Sequence, residues 1–117
     1  MRVRIALVVL LATVACGGSD GPTTPPAGSN KTYEVFTLST VFSPNLLQIT
    51  PGDTVRFRIV PSQNGEGHDV TFDAKAGAPA NIKVTLTGTF DRVFSTRGNF
   101  HYNCFVHPGM SGDVVVQ

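Results

Sequence analysis

The stretch DTVRFRIV (residues 53–60) decides the fold class, because its polar and apolar side chains alternate from Thr54 to Ile59. One side of an extended chain here carries Val55, Phe57 and Ile59, and the opposite side carries both arginines. This period of two predicts a β-strand with one buried face and one face in water.

Segments of the same character lie on both sides of this stretch, and no segment shows convincing helical periodicity. They are TYEVFTLST (32–40), NLLQIT (45–50), HDVTFD (68–73), NIKVTLTG (81–88), TFDRVFST (89–96), GNFHYNC (98–104) and GDVVVQ (112–117). Turns rich in Gly, Pro, Asn and Asp separate them. Seven or eight short strands in so short a chain predict an antiparallel β-sandwich.

Phenylalanine supplies most of the bulky side chains available to the core. The chain has eight Phe, all within residues 36–105, and no Trp. With 117 residues there is room for one domain of limited stability, to which a bound metal would add.

The beginning of the chain predicts export. Residues 1–15, MRVRIALVVLLATVA, combine basic residues, an apolar run and a small-residue ending, as a secretory signal peptide does. The apolar run is too short for a bilayer, which takes about 20 residues. Cys16 follows TVA, which resembles the lipobox of bacterial lipoproteins except that Thr13 replaces the preferred Leu. We predict a lipid on Cys16, with ordinary cleavage after Ala15 as the alternative.

The segment after the signal predicts a flexible linker. Residues 16–30 are nearly all Gly, Ser, Thr, Pro and Asp, so they have little apolar surface to bury. The folded domain is then residues 31–117. Without the signal's two arginines, seven basic residues face eight acidic ones, which argues against nucleic acid as a partner. We expect a monomer in the bacterial periplasm or on the cell surface, tethered to a membrane.

The loop YNCFVHPGM (102–110) places Cys104, His107 and Met110 at equal steps of three. The chain has three His and two Met, so the chance of this spacing, given the cysteine, is roughly 4 in 10,000. The Pro-Gly pair inside the loop allows it to curl, so that the three side chains can meet at one ion. The pattern therefore predicts a metal site.

Two other histidines could complete this site. His101 lies three residues before Cys104 along a strand, so it projects from the opposite face and is predicted to be a surface or structural residue. His68 opens a strand after a Gly-rich loop, where a second strand can supply a ligand. Two imidazoles, a thiolate and a thioether form the donor set of blue-copper electron-transfer sites, whereas zinc and iron–sulfur sites prefer other sets. We predict copper at His68, Cys104, His107 and Met110.

On these residues the chain resembles the cupredoxins, the small type 1 copper proteins that include plastocyanin, amicyanin and pseudoazurin. The resemblance covers residues 32–117, and the C-x-x-H-x-x-M spacing is that of the short amicyanin loop. It rests on FSPNLLQITPGDTVRF (42–57), GHDVTF (67–72) and GNFHYNCFVHPGMSGDVVV (98–116). It implies an all-β, eight-stranded Greek-key β-sandwich.

The resemblance also implies a role for each ligand. His68, Cys104 and His107 would form the equatorial plane around one Cu(I)/Cu(II) ion, and Met110 would be axial. The ring edge of His107 would reach the surface and serve as the electron exit.

An apolar surface for transient redox partners is implied around His107. It would draw on Val106, Pro108 and Gly109. The AGAPA loop (76–80) would either join this surface or be only a connection between strands.

Asp69 departs from the family pattern, since many cupredoxins have Asn directly after the first histidine. There the Asn side chain helps to pin the cysteine loop. A carboxylate near the site would also favour Cu(II), so we hypothesise that Asp69 lowers the midpoint potential.

The resulting expectation is a one-electron carrier, not an enzyme, that shuttles electrons between exported or membrane-bound redox partners. The alternative is a copper-binding lipoprotein for delivery or sequestration, although such proteins usually offer several Met or His on flexible segments. A copper enzyme would need a second site, for which only His101 remains. A non-metal binding module of the same fold would not need all four ligand positions filled.

Overall fold

The computed structural model describes residues 30–117. The predicted signal peptide (1–15), the lipidation site Cys16 and nearly all of the predicted linker therefore lie outside the described residues. In the described part, no helix has the length and apolar character needed to cross a membrane.

Nine strands make up the regular structure of the described residues, which confirms the all-β prediction. They are β1 (Thr32–Leu38), β2 (Val41–Ser43), β3 (Leu46–Ile49), β4 (Asp53–Ile59), β5 (His68–Phe72), β6 (Ile82–Thr85), β7 (Gly88–Phe94), β8 (Gly98–Asn103) and β9 (Ser111–Val116).

Two sheets pack face to face as the predicted sandwich. One has the order β2-β1-β4-β7, and the other has the order β3-β9-β8-β5-β6. Both sheets are mixed, because β1 pairs with β4 in parallel and β3 pairs with β9 in parallel. The expectation of purely antiparallel pairing was therefore wrong for these two pairs.

The short strand β2 is the one that the sequence pattern did not predict. Ser39 turns the chain with a positive φ of 56°, and Val41–Ser43 then pairs back along β1. Pro44 follows and has no N–H to continue the pairing. The chain then enters the other sheet as β3, where it runs parallel to β9.

Strand β4 shows the predicted alternation along its whole length. Val55, Phe57 and Ile59 are buried, and the intervening residues are half-buried. On the outer face, Arg56 forms a two-point ion pair with Asp91 of β7, with N–O distances of 2.7 and 2.8 Å. Burial on one face and charge pairing on the other therefore fix the register of this central strand.

An aromatic cluster fills the space between the sheets, with Tyr102 at its centre. The ring centroid of Tyr102 lies 4.9 Å from that of Phe42, 5.4 Å from Phe57 and 5.6 Å from Phe72, all in edge-to-face contacts. Phe94 and Phe100 are also buried. The prediction of a Phe-rich core is confirmed for these five, whereas Phe36 and Phe105 are exposed.

Three strand ends define one end of the sandwich, which we call the loop end. Strand β8 ends just before Cys104, β9 begins just after Met110, and β5 begins at His68. Since β8 is antiparallel to both β5 and β9, these three points meet at the same edge of the five-stranded sheet. Strand β1 begins at the opposite end, because Thr32 pairs with the first residues of β4 and β4 ends beside the start of β7.

Candidate metal centre

Three of the four predicted ligands converge on one buried point at the loop end. The Sγ of Cys104 lies 3.8 Å from Nδ1 of His68 and 3.6 Å from Nδ1 of His107. The ligand atoms of all three residues lie within 4.8 Å of one another. The two imidazole rings face each other at a centroid distance of 4.6 Å.

These distances fit a shared metal ion. Bonds of about 2.3 Å to sulfur and about 2.0 Å to nitrogen, at a trigonal angle of about 120°, place the sulfur and nitrogen atoms about 3.7 Å apart. One thiol hydrogen can also serve only one acceptor, and two ring nitrogens point at this sulfur. A single cation satisfies all three atoms at once.

Two backbone hydrogen bonds of Met110 close the cysteine loop. The N–H of Cys104 donates to the carbonyl of Met110 at 2.9 Å, and the N–H of Met110 donates to the carbonyl of His107 at 3.0 Å. Gly109 makes the curl possible with a φ of +85°, in the region that favours glycine. Met110 is buried in the same hydrophobic core as Cys104. The cluster of His, Cys, His and Met fits one type 1 copper ion.

Burial shifts the pKa of two of these side chains in opposite directions. It lowers the pKa of His68, and the neighbouring His107 ring acts in the same direction. His68 is therefore neutral at pH 7, which is the form that ligates. Burial also raises the pKa of the Cys104 thiol. The metal-free protein thus holds a protonated thiol, and a metal must displace that proton when it binds.

Comparison with solved structures places this architecture among known folds. A pseudoazurin from Sinorhizobium is 29% identical, with a TM-score of 0.57 over 74% of each chain. A reduced Cu(I) form of an amicyanin mutant is 26% identical, with a TM-score of 0.60 over 74% of this chain and 82% of that one. The chain has the fold and the copper-binding donor set of a cupredoxin. No protein-family model and no curated protein matches the sequence.

The cupredoxin fold also occurs inside larger enzymes. A Cu-containing nitrite reductase from Thermus scotoductus is 24% identical, with a TM-score of 0.61 over 72% of this chain but only 22% of that one. That similarity shows the shared fold alone.

Asp69 retains the connection that Asn makes in many cupredoxins. Its Oδ1 accepts hydrogen bonds from the backbone N–H of Phe105 at 2.8 Å and of Val106 at 3.4 Å. Its Oδ2 accepts the hydroxyl of Thr71 at 2.8 Å. Every one of these contacts uses the carboxylate as an acceptor, which suits its ionised form. Asp69 therefore pins the cysteine loop to β5 and also places a negative charge beside the site.

We expect Asp69→Asn to raise the midpoint potential of the copper-loaded protein. The amide oxygen can still accept from Phe105, so the loop keeps its position while the charge is lost. An effect on the order of 1 kcal/mol corresponds to about 40 mV for one electron. Redox titration measures the shift, and Thr71→Val serves as the uncharged control. An unchanged potential in Asp69→Asn would contradict the hypothesis.

Glu66 touches the site, although the sequence analysis did not single it out. Its Oε2 lies 3.1 Å from Nε2 of His107, on the side of the ring that faces away from Cys104. The one available signal was its position two residues before His68, in the same loop. No spacing rule could show that a loop carboxylate reaches a histidine 41 residues away.

His101 lies outside the cluster, as predicted. Its Nδ1 is 3.0 Å from Oδ1 of Asp113 on β9, and the pair is partly exposed. Among the described residues, the site at the loop end is the only group of three or more His, Cys, Asp and Glu side chains close enough to hold a metal ion.

Proposed function

We propose that the protein is a one-electron carrier with a mononuclear type 1 copper centre. His68, Cys104, His107 and Met110 would hold the ion, which would supply a reversible one-electron change. The observation that carries this proposal is the approach of two imidazole nitrogens to one buried thiol sulfur, at 3.6 and 3.8 Å. Such a set favours copper over other metals.

The surroundings of the site favour electron transfer over catalysis. All four donor residues are buried, so the protein offers a substrate no open equatorial position. The chain's part is to hold the donors in place, and the hydrogen bonds of the cysteine loop fix the backbone that carries them. We therefore propose a carrier and not an enzyme.

Apolar side chains near the site support docking of redox partners. Phe105, which lies between Cys104 and His107 in the sequence, is 74% exposed. Val84 and Leu86 are 64% and 56% exposed. They flank Thr85, which pairs with His68, so they lie at the loop end as well. A small, mostly apolar patch of this kind suits a transient redox complex.

The position of the AGAPA loop (76–80) favours the second of the two possibilities for it, a connection between strands that takes no part in this surface. It connects the end of β5 to the start of β6, at the opposite end of the sandwich. A Cβ on Gly77 would meet the side chain of Thr96, which follows the far end of β7. The partner surface that we propose consists of Phe105, Val106, Pro108, Val84 and Leu86.

We further propose that the carrier is exported to the bacterial periplasm or cell surface and held there by a lipid on Cys16. The pattern of residues 1–30 supports this proposal. A lipid anchor would give partners in or near the membrane a high local concentration of the carrier. The alternative, copper delivery or sequestration, would require ready release of the ion, whereas all four donor residues are buried.

The visible spectrum of the Cu(II)-loaded protein tests the electron-carrier proposal. We expect an intense blue band from charge transfer between the thiolate and copper, which disappears on reduction and returns on oxidation. Weak colour, or copper that a mild chelator removes within minutes, would contradict an electron carrier and favour the copper-delivery alternative.

A further inference from the structure

We propose that Glu66 is a positioning residue that holds the His107 ring in its ligating orientation and favours the oxidised state of the copper. This inference rests on the proposed function, because it concerns how the copper centre is tuned. It goes beyond the ligand set, since the contact of Glu66 is with the outer nitrogen of His107 and not with the nitrogen that faces Cys104.

Both nitrogens of the His107 ring have a partner. Nδ1 faces Cys104 Sγ at 3.6 Å, and Nε2 faces Glu66 Oε2 at 3.1 Å. If Nδ1 gives its lone pair to the metal, the ring hydrogen sits on Nε2 and is donated to the carboxylate. A histidine ligand fixed in this way by an outer carboxylate keeps its tautomer and its ring orientation, and it becomes a stronger donor.

The position of Glu66 is built into the loop between β4 and β5. The N–H of Ser62 donates to the Glu66 carbonyl at 2.9 Å, and the N–H of Glu66 donates to the Ser62 hydroxyl at 3.1 Å. Gly65 closes this turn with a φ of +76°. Ser62 is buried, so the loop backbone that carries the carboxylate is anchored to the domain. The contact with His107 therefore does not depend on a freely moving surface chain.

The two histidines of the site differ in whether the outer ring nitrogen, Nε2, has a hydrogen-bond partner. The Nε2 of His68 is buried and has no hydrogen-bond partner among the described residues. Only His107 receives a carboxylate on its outer nitrogen, and the side chain of Glu66 remains 54% exposed to water. The outer edge of His107 is thus covered by an anion and is only slightly exposed, whereas the family resemblance implied a bare ring edge.

The negative charge of Glu66 should favour the oxidised state of the copper. A carboxylate near the copper stabilises Cu(II) more than Cu(I), because the oxidised ion carries the larger positive charge. Its hydrogen bond increases the donor strength of His107, which also favours Cu(II). Removal of Glu66 should therefore lower the ratio of Cu(II) affinity to Cu(I) affinity.

Redox titration of three variants tests the proposal. In Glu66→Gln we expect the affinity ratio to fall about tenfold, which raises the midpoint potential by about 59 mV. In Glu66→Ala, which loses the hydrogen bond as well, we expect a larger rise. Asp113→Asn is the matched control, because it removes a carboxylate 3.0 Å from a histidine that is not a ligand. Its potential should stay close to that of the unchanged protein.

A second readout on the metal-free protein separates this inference from the proposed function. Nitrogen-15 NMR of the His107 ring should show the hydrogen on Nε2 in the unchanged protein and in Glu66→Gln. In Glu66→Ala we expect a mixture of tautomers. Equal potentials in all variants, or an unaltered tautomer in Glu66→Ala, would overturn the role of Glu66 even if the protein is blue. A colourless copper-loaded protein would overturn the electron carrier, while the tautomer result would still decide whether Glu66 positions His107.

Discussion

Replacing Cys104 with Ser should abolish the blue band and weaken copper binding by more than about a hundredfold, since even the loss of an outer partner of a ligand costs about 10- to 100-fold. The band arises from the thiolate, which a hydroxyl cannot replace, because an alcohol does not ionise readily at neutral pH. The Sγ of Cys104 is also the atom that the Nδ1 atoms of both imidazole rings face. Optical spectroscopy together with competition against a chelator of known affinity measures both effects.

The matched control for this substitution is His101→Asn. His101 lies on the strand that leads to Cys104, but its partner is Asp113 and it is not part of the cluster. The blue band should survive in His101→Asn with the same intensity. If His101→Asn lost the band while Cys104→Ser kept it, the assignment of the copper ligands would be wrong.

Gly112→Ala should lower the free energy of unfolding of the metal-free protein by about 3 kcal/mol or more, at the upper end of the range for overpacked cores. A Cβ at this position would overlap the hydroxyl group and the adjacent ring carbon of Tyr102. Tyr102 is fully buried between Phe42, Phe57 and Phe72, so its ring has no space into which to move. Urea denaturation measures the loss.

Ser111→Ala provides the comparison for this prediction. Ser111 precedes Gly112 on β9 and points to the opposite face of the sheet, so the loss of its hydroxyl should change stability by less than about 0.5 kcal/mol. Equal stability of Gly112→Ala and Ser111→Ala would show that the core around Tyr102 can rearrange. The copper site would then also tolerate movement of β9.

The sequence predicted most of the fold because short-range patterns determine strands. The alternation of apolar and charged residues in β4 is visible without any structure, and it is reproduced in the burial of Val55, Phe57 and Ile59. The parallel pairing of β3 with β9 was not predictable in the same way. It depends on which sheet edge the chain reaches after Pro44, and that choice follows from packing between distant segments.

The metal site was predictable to a similar degree. The spacing of Cys104, His107 and Met110 is local, and the strand position of His101 sufficed to exclude it from the cluster. The contact of Glu66 was beyond such reasoning, because it joins the cysteine loop to a segment 41 residues away. The contact of Asp69 with that loop was suggested only by the family resemblance, in which the side chain at this position pins the loop. The exposure of Phe105 was also not predicted. This residue lies in a loop, where no alternation of apolar and polar residues indicates which side chains are buried.

The two ends of the sandwich have different roles. The predicted copper ligands lie at one end, and the chain enters the domain through β1 at the other. A lipid on Cys16 would therefore attach the domain to the bilayer by the pole farthest from the metal. The predicted flexible linker would leave the domain free to turn on this attachment. The redox surface could therefore face partners in the membrane as well as partners in the aqueous space.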